Sequence, residues 1–295
     1  MKNPKTYLPC VLVSIIFVFT LLGSGICVLA DKVILNPQTC IDLVSEKQLD
    51  SKVKGIIDRE FEEKYNSTGI PDTVYTEIIT EEWVKSTING FILEGFNYLN
   101  GETDTYSSDI TDFTALDNNI TEFFSNYADE NGYVKDSSYE DKLNTEINTA
   151  HSIITNYTDI FKMNTLKSEG VLAQARRYIG YLDTLTYICI GGACASFILI
   201  VLLSIKRIRE TLYWTGCSLA IAGIIGLVPC IYIKSSNYFD AFVIKQEQIF
   251  TAFTSFMYKI VDSFTIVASV FLVFSVIMFV SYAIINIIKG KQKES

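Results

Sequence analysis

The sequence has very few of the residues from which common catalytic and metal centres are built. It contains one histidine, His151, in 295 residues, so a zinc site made of several histidines is excluded. No Gly-x-Ser-x-Gly turn accompanies this histidine, and no glycine-rich phosphate-binding loop is present. We therefore interpret His151 as a structural residue, and no catalytic residue, metal ligand or cofactor site is predicted.

Cysteine is also scarce outside the apolar parts of the chain. Six of the seven cysteines lie in long apolar runs, where a thiol behaves as a small apolar side chain. Only Cys40 lies outside these runs, and no Cys-x-x-Cys pair is present. A single cysteine cannot form a disulfide within its domain, so we expect the polar part of the chain to be stabilised by its apolar core alone.

Charge is missing from four long apolar runs of at least 22 residues each. A helix of about 20 apolar residues crosses a hydrocarbon core of roughly 30 Å, so each run is long enough to span a bilayer. The mean hydropathy of the whole chain, +0.28, agrees with this concentration of apolar residues. The predicted transmembrane helices are residues 7–30, 184–205, 212–233 and 264–288.

Basic residues at the ends of these runs predict the orientation of the chain. They form three clusters, Lys2 and Lys5, then Lys206, Arg207 and Arg209, then Lys289, Lys291 and Lys293. The positive-inside rule places these clusters in the cytoplasm, so 1–6, 206–211 and 289–295 are predicted to be cytoplasmic and 31–183 and 234–263 extracytoplasmic. Arg176, Arg177, Lys234, Lys245 and Lys259 oppose this orientation, because they fall on the predicted outside.

The end of the first apolar run, residues 22–32, allows more than one interpretation. The residue before Cys27 is isoleucine rather than a small residue, which argues against a lipoprotein signal. Cleavage after Ala30 would leave three spans. However, the apolar stretch from Leu8 covers 23 residues, whereas the hydrophobic region of a signal peptide has 7 to 15. This length favours an uncleaved signal anchor.

Acidic residues dominate the segment between the first two runs. Residues 31–180 contain 27 acidic and 13 basic residues, whereas the whole chain has a net charge of −9. Such a field favours cationic partners and repels nucleic acid. The acidic turn around Gly132 does not match the EF-hand calcium loop. With Gly132 in the glycine position, Tyr127 and Ser138 would occupy ligand positions.

Helical periodicity runs through the polar segments. It predicts one helix over 38–65, a helix that begins after the N-cap Thr80 and ends at Gly101, and a short helix around 116–127. A long amphipathic helix from Ser138 is predicted to continue at the same spacing into the second span as one rigid helix. Residues 234–263 are predicted to form an amphipathic helix that packs against the polar domain, or else exposes its aromatic face to a partner or the outer leaflet.

These patterns together predict an all-α fold. We expect an integral membrane four-helix bundle with a helical extracytoplasmic domain inserted between spans 1 and 2. Small residues four apart in spans 2 and 3 are candidates for close helix packing within the bundle, or for an oligomer face. They are Gly191 and Ala195, Gly192 and Ser196, Gly216 and Ala220, and Ala222 and Gly226.

The order of three polar motifs resembles that of uncharacterised bacterial four-span envelope membrane proteins. The motifs are Asn36-Pro37, Glu81-Glu82-Trp83 and the segment YLNGET at 98–103. The resemblance covers residues 36–103 and implies a helical extracytoplasmic domain after the first span. A proline usually found before the tryptophan helix is replaced here by Ile79-Thr80. No activity or catalytic residue is implied.

These observations predict a non-enzymatic multi-pass protein of the cell membrane. We expect it to act as a scaffold, sensor or accessory subunit, with the lipid bilayer and either a membrane protein or a second copy as partners, and with no nucleic acid or cofactor. The first alternative is an oligomeric channel or carrier, although the spans lack the charges typical of transport. The second is an envelope enzyme that uses carboxylates of the outer domain.

Overall fold

The computed structural model describes residues 4–205 and 207–294, and within them every regular element is a helix. Of the basic residues that predict orientation, Lys2 and Lys206 lie outside the described residues, as do the side chains of Lys5, Lys289, Lys291 and Lys293. The helices are α1 (Pro4–Leu29), α2 (Pro37–Glu46), α3 (Leu49–Thr68), α4 (Thr73–Thr76), α5 (Glu81–Leu99), α6 (Thr114–Asn131), α7 (Ser137–Thr158), α8 (Met163–Ser168), α9 (Val171–Ile179), α10 (Leu182–Leu203), α11 (Ile208–Ser235) and α12 (Glu247–Glu294).

Four stretches of helix are long and apolar enough to cross a membrane, which confirms this part of the sequence prediction. They are Tyr7–Ile34, Val171–Leu203, Ile208–Ser235 and Glu247–Ile288. The first includes a π-helical turn, Ala30–Ile34, after α1. The all-α fold class is confirmed for the described part of the chain.

The chain divides into two compact units. The apolar unit contains the described residues of Met1–Asn36, Tyr178–Val243 and Met257–Ser295. The polar unit contains Pro37–Arg177 and Ile244–Phe256.

The polar unit has its own apolar core. Its centre is formed by α3, α5, α6 and α7, with Phe61 stacked on Tyr75 at 4.2 Å between ring centroids. Ala252 and Phe256, from the start of α12, pack into the same core. A core of this extent explains how the unit is stabilised without a disulfide, since Cys40 is a free, buried thiol.

The helix predicted over 38–65 is two helices, so that prediction was wrong. α2 ends at Glu46 and α3 begins at Leu49, because Gln48 adopts a left-handed conformation with φ +50°. The turn allows both Val44 and Leu49 to be fully buried, which a straight helix would not require. A non-glycine residue in this region costs about 1–2 kcal/mol, which the burial of these side chains must offset.

The rigid connection predicted from Ser138 into the second span is also wrong. α7 ends at Thr158, where the carboxylate of Asp159 accepts hydrogen bonds from the backbone N–H groups of Met163 and Asn164 and so begins α8. Gly170, with φ +74°, separates α8 from α9. Two further residues, 180 and 181, separate α9 from α10.

The amphipathic helix predicted over 234–263 is replaced by three different structures. α11 continues to Ser235, a 3₁₀ turn covers Tyr238–Ala241, and α12 begins at Glu247 and runs without a break through residue 263. The left-handed conformation of Asn237, with φ +48°, ends the preceding helix.

Local signals in the polar segments are confirmed. The hydroxyl oxygen of Thr80 accepts a hydrogen bond from the backbone N–H of Trp83 at 3.2 Å, as an N-cap should. The helix that it begins ends just before Gly101, whose φ is +78°. α6 exists where a short helix was predicted, but with 18 residues it is longer than expected.

Candidate functional site

The small residues of α11 lie on its contact with α12. A Cβ atom added to Gly226 would lie 3.1 Å from the Cβ of Ala268, and one added to Gly216 would lie 3.3 Å from the Cβ of Met278. The carbonyl oxygen of Gly216 also accepts a hydrogen bond from the Ser275 hydroxyl at 2.8 Å. On the same helix Ala222 is fully buried and Ala220 is half-buried.

The sequence did not single out Gly223, which makes the tightest approach on α11. A Cβ atom at this position would lie 2.6 Å from Leu272 and 3.1 Å from the carbonyl oxygen of Ala268. Its distance of seven residues from Gly216 and three from Gly226 was the available signal, since these intervals share one helix face.

The small residues of α10 lie on two different faces. A Cβ atom added to Gly192 would lie 2.9 Å from the Cγ2 of Thr20 on α1, and Ser196 is buried. Gly191 and Ala195 are exposed, and nothing lies within 4 Å of a Cβ atom added to Gly191. The face with Gly192 therefore packs within the apolar unit, whereas the face with Gly191 does not.

The polar unit contains a cleft between the end of α3, the second half of α6 and the first half of α7. It consists of two neighbouring cavities of about 580 and 440 Å³, which share four lining residues. The shared residues are Phe124, Tyr127, Ser138 and Lys142. Both volumes are in the range of ligand-binding pockets. We call this region the aromatic cleft.

Aromatic rings form much of the lining of the aromatic cleft. Phe123 and Tyr127 have ring centroids 6.2 Å apart, and Tyr127 and Tyr133 have centroids 6.1 Å apart, with each pair within 22° of parallel. Tyr127 is 53% exposed and Tyr133 is 62% exposed. Rings this exposed beside a cavity offer apolar area and, through their hydroxyl groups, hydrogen bonds to a partner.

One wall of the aromatic cleft is fixed by a buried carboxylate. Glu146 Oε1 accepts hydrogen bonds from Lys64 Nζ at 2.7 Å and from the Tyr75 hydroxyl at 2.8 Å. Burial, together with this carboxylate, raises the pKa of Tyr75, so its hydroxyl remains a donor at neutral pH. Asp141 and Lys142 add one charge of each sign to the lining.

His151 takes part in a local contact rather than in a nucleophilic centre. Its Nε2 lies 2.6 Å from Asp117 Oδ1, and its ring stacks on Phe113 with the centroids 3.9 Å apart. Both side chains are about one third exposed. This pair joins α6 to α7, in agreement with a structural role for the histidine.

Two further sources of information about function are the arrangement of possible metal ligands and similarity to known proteins, and neither identifies a site in the described residues. Over residues 4–205 and 207–294, no group of three or more His, Cys, Asp or Glu residues is arranged to hold a metal ion. No protein family, curated protein or solved structure matches the chain.

Proposed function

We propose that this chain is a non-enzymatic accessory subunit or scaffold of the cell membrane, which binds a membrane-protein partner through the polar unit. In this proposal α1, α10, α11 and α12 are the spans, both termini are cytoplasmic, and residues 31–183 are extracytoplasmic. The basic clusters of the sequence support this orientation. The resemblance to bacterial four-span envelope proteins is also part of the proposal, because those proteins have the same arrangement of spans and outer domain.

The aromatic cleft is the observation that carries the proposal. It has the size and exposed aromatic rings of a recognition site, and the lining carboxylate of Glu146 already pairs with Lys64. Glu146 Oε1 already accepts hydrogen bonds from Lys64 and Tyr75, which favours binding over catalysis at this cleft.

Charge supports a basic partner. The segment that forms most of the polar unit carries about twice as many acidic as basic residues. An extracytoplasmic segment with basic and apolar side chains would complement both this field and the aromatic lining.

Native mass spectrometry of the chain, extracted gently from its own membrane, tests this proposal. We expect the full-length mass together with a second protein, and we expect this complex to be lost in the variant Tyr127→Ser/Tyr133→Ser. The control is Tyr65→Ser, because Tyr65 is as exposed as Tyr127 (53%) but does not line the aromatic cleft.

Three outcomes would contradict the proposal. A ring of identical copies that conducts ions in vesicles would favour the channel or carrier. Loss of the complex in the control as well as in the cleft variant would show that the aromatic cleft is not the contact. A chain that begins at Asp31 would reduce the spans to three and remove the signal anchor.

A further inference from the structure

Aromatic residues mark one end of the spanning part of the apolar unit. Trp214 of α11 lies 5.4 Å from Tyr7 of α1 and 5.5 Å from Tyr213, and Tyr213 lies 5.9 Å from Tyr282 of α12, all between ring centroids. Tyrosine and tryptophan concentrate where the hydrocarbon core meets the headgroups. This group therefore marks one membrane interface.

A second group of aromatic residues marks the opposite end. Only four residues separate α10 from α11 along the chain, so the beginning of α10 lies at the same end as the last part of α11. Tyr181 and Tyr187 at the beginning of α10 and Tyr232 near the end of α11 are all more than 60% exposed. The 18 residue-to-residue steps from Trp214 to Tyr232 correspond to about 27 Å of helix, close to the roughly 30 Å of a hydrocarbon core.

The segment Tyr238–Val243, which we call the aromatic loop, lies at this second end. Phe239 is buried against Cys230 of α11 and Val261 of α12, and its ring centroid is 5.3 Å from that of Tyr258. Close by, Lys234 Nζ lies 2.6 Å from Asp262 Oδ1. This ion pair connects α11 to α12 at the polar ends of their apolar stretches. The aromatic loop is thus held just beyond the hydrocarbon level.

The rings of Tyr238 and Phe242 contact Phe239, with centroids 5.5 and 6.3 Å away, but the outer part of the aromatic loop is exposed. Val243 is 94% exposed, Tyr238 is 50% exposed and Phe242 is 44% exposed. Exposed apolar area costs about 25 cal/mol per Å² in water, and an amphipathic aromatic ring is most stable at a membrane interface. We propose that the aromatic loop is inserted among the lipid headgroups and anchors this end of the apolar unit to the bilayer surface.

The charges of the aromatic loop determine the kind of lipid contact. Asp240 is the one charged residue in the segment 235–243, and no basic residue occurs there. Attraction of a segment to anionic lipid depends on lysine and arginine. The contact is therefore apolar and interfacial, and a zwitterionic phosphatidylcholine surface is sufficient. This inference depends on the spanning helices and not on the aromatic cleft or its partner.

Fluorine NMR of the full chain in phosphatidylcholine nanodiscs tests the proposal. The label 4-trifluoromethyl-phenylalanine is introduced in place of Tyr238 and, separately, of Val243. Relaxation is then measured with a nitroxide on the lipid headgroup and with a water-soluble gadolinium chelate. The same label at Tyr133 of the polar unit gives the value for water, and at Phe274 of α12 the value for the hydrocarbon, since both positions are more than half exposed.

We expect the headgroup nitroxide to relax the labels at 238 and 243 several times more than the label at 133. We also expect the gadolinium chelate to relax them less than at 133 but more than at 274. Equal gadolinium effects at 238, 243 and 133 would place the aromatic loop in water and overturn the proposal. Protection from both agents would mean that protein covers it, and a contact that appears only with anionic lipid would overturn its apolar character.

Discussion

Lys64 Nζ lies 2.7 Å from Glu146 Oε1, although 82 residues separate the two side chains in the sequence. The pair connects α3 to α7, and the Tyr75 hydroxyl donates to the same carboxylate oxygen. Both charged side chains are at most one fifth exposed, so the ion pair is screened little by water. This arrangement connects α3 and α7, two of the three helices that form the aromatic cleft.

Replacing Glu146 should therefore destabilise the polar unit. Glu146→Ala leaves the Lys64 charge and the Tyr75 hydroxyl without an acceptor, and we expect a loss of about 2–3 kcal/mol in the free energy of unfolding. Urea unfolding of the full chain in detergent measures this, followed by Trp83 fluorescence in a Trp214→Phe background. The control Asp58→Ala breaks an i, i+4 pair with Lys54 and should cost about 0.5 kcal/mol. Equal losses in the two variants would contradict the assigned role of Glu146.

Burial should make the thiol of Cys40 unreactive in the folded chain. The side chain is 1% exposed, and burial raises the pKa of Cys40 to about 12. Because the thiolate is the reactive form, we expect a membrane-impermeant maleimide to modify Cys40 only after urea unfolding. A cysteine introduced by Ser67→Cys, on the exposed end of α3, should react under native conditions. Similar native rates at positions 40 and 67 would show that the polar unit opens readily.

Local and compositional signals explain which parts of the fold were predictable. Four uncharged runs are sufficient to predict four spanning helices, because apolar length alone decides whether a helix can cross a bilayer. Thr80 and Gly101 were predictable for a similar reason, since an N-cap hydroxyl and a left-handed glycine act within one helical turn. Neither signal depends on the rest of the chain.

The missed breaks depend on tertiary packing. Gln48, Lys162 and Asn237 all have positive φ angles without being glycine, and only the asparagine is of a residue type that favours this conformation. At Gln48 the compensation comes from the burial of Val44 and Leu49, which only the assembled core provides. The periodicity on either side was helical, and it therefore predicted one helix where two are present.

The aromatic cleft could not be predicted from the sequence, because it too depends on tertiary packing. Its walls come from residues 68–70, 123–134 and 136–146, and no spacing within one segment reveals that these meet. Periodicity included Tyr127 in a short helix but did not indicate that its side chain is more than half exposed. In the sequence Glu146 is one of many acidic residues, and only folding brings Lys64 and Tyr75 into contact with it.

The carboxyl group of Asp159 should make the stability of the polar unit depend on pH. The side chain is 3% exposed, and burial raises its pKa above the ordinary value, although hydrogen bonds from the Met163 and Asn164 backbone lower it. Folding therefore makes this carboxyl group easier to protonate than it is in the unfolded chain. Its stabilising contribution is complete below the unfolded pKa and is lost as pH rises through the folded pKa.

The variant Asp159→Asn does not titrate, so the comparison with the wild type isolates this effect. We expect the free energy of unfolding of Asp159→Asn, relative to the wild type, to rise between pH 3 and pH 7. The lost hydrogen bond to Asn164 adds a constant difference that does not change with pH. Urea unfolding at several pH values measures the trend, and a constant or decreasing difference would contradict the burial of the charge.

The two classes of small residues in the spans should respond differently to a large side chain. A Cβ atom at Gly226 meets Ala268 at 3.1 Å, so Gly226→Ile must separate α11 from α12, and overpacking of this kind costs about 1–3 kcal/mol. A Cβ atom at Gly191 meets nothing within 4 Å, so Gly191→Ile should leave the thermal unfolding of the detergent-solubilised monomer unchanged. If only Gly226→Ile lowers the midpoint of thermal unfolding, the side chain at 226 packs within the bundle and the position at 191 does not.

The same pair of variants decides whether the face with Gly191 joins copies of the chain. If small residues on this face allow close approach between copies, Gly191→Ile should abolish dimers in native mass spectra without changing monomer stability. If dimers are absent in the wild type, or persist in Gly191→Ile, the exposure of Gly191 and Ala195 reflects contact with lipid, and the close packing of small residues belongs to α11 and to the Gly192 face of α10.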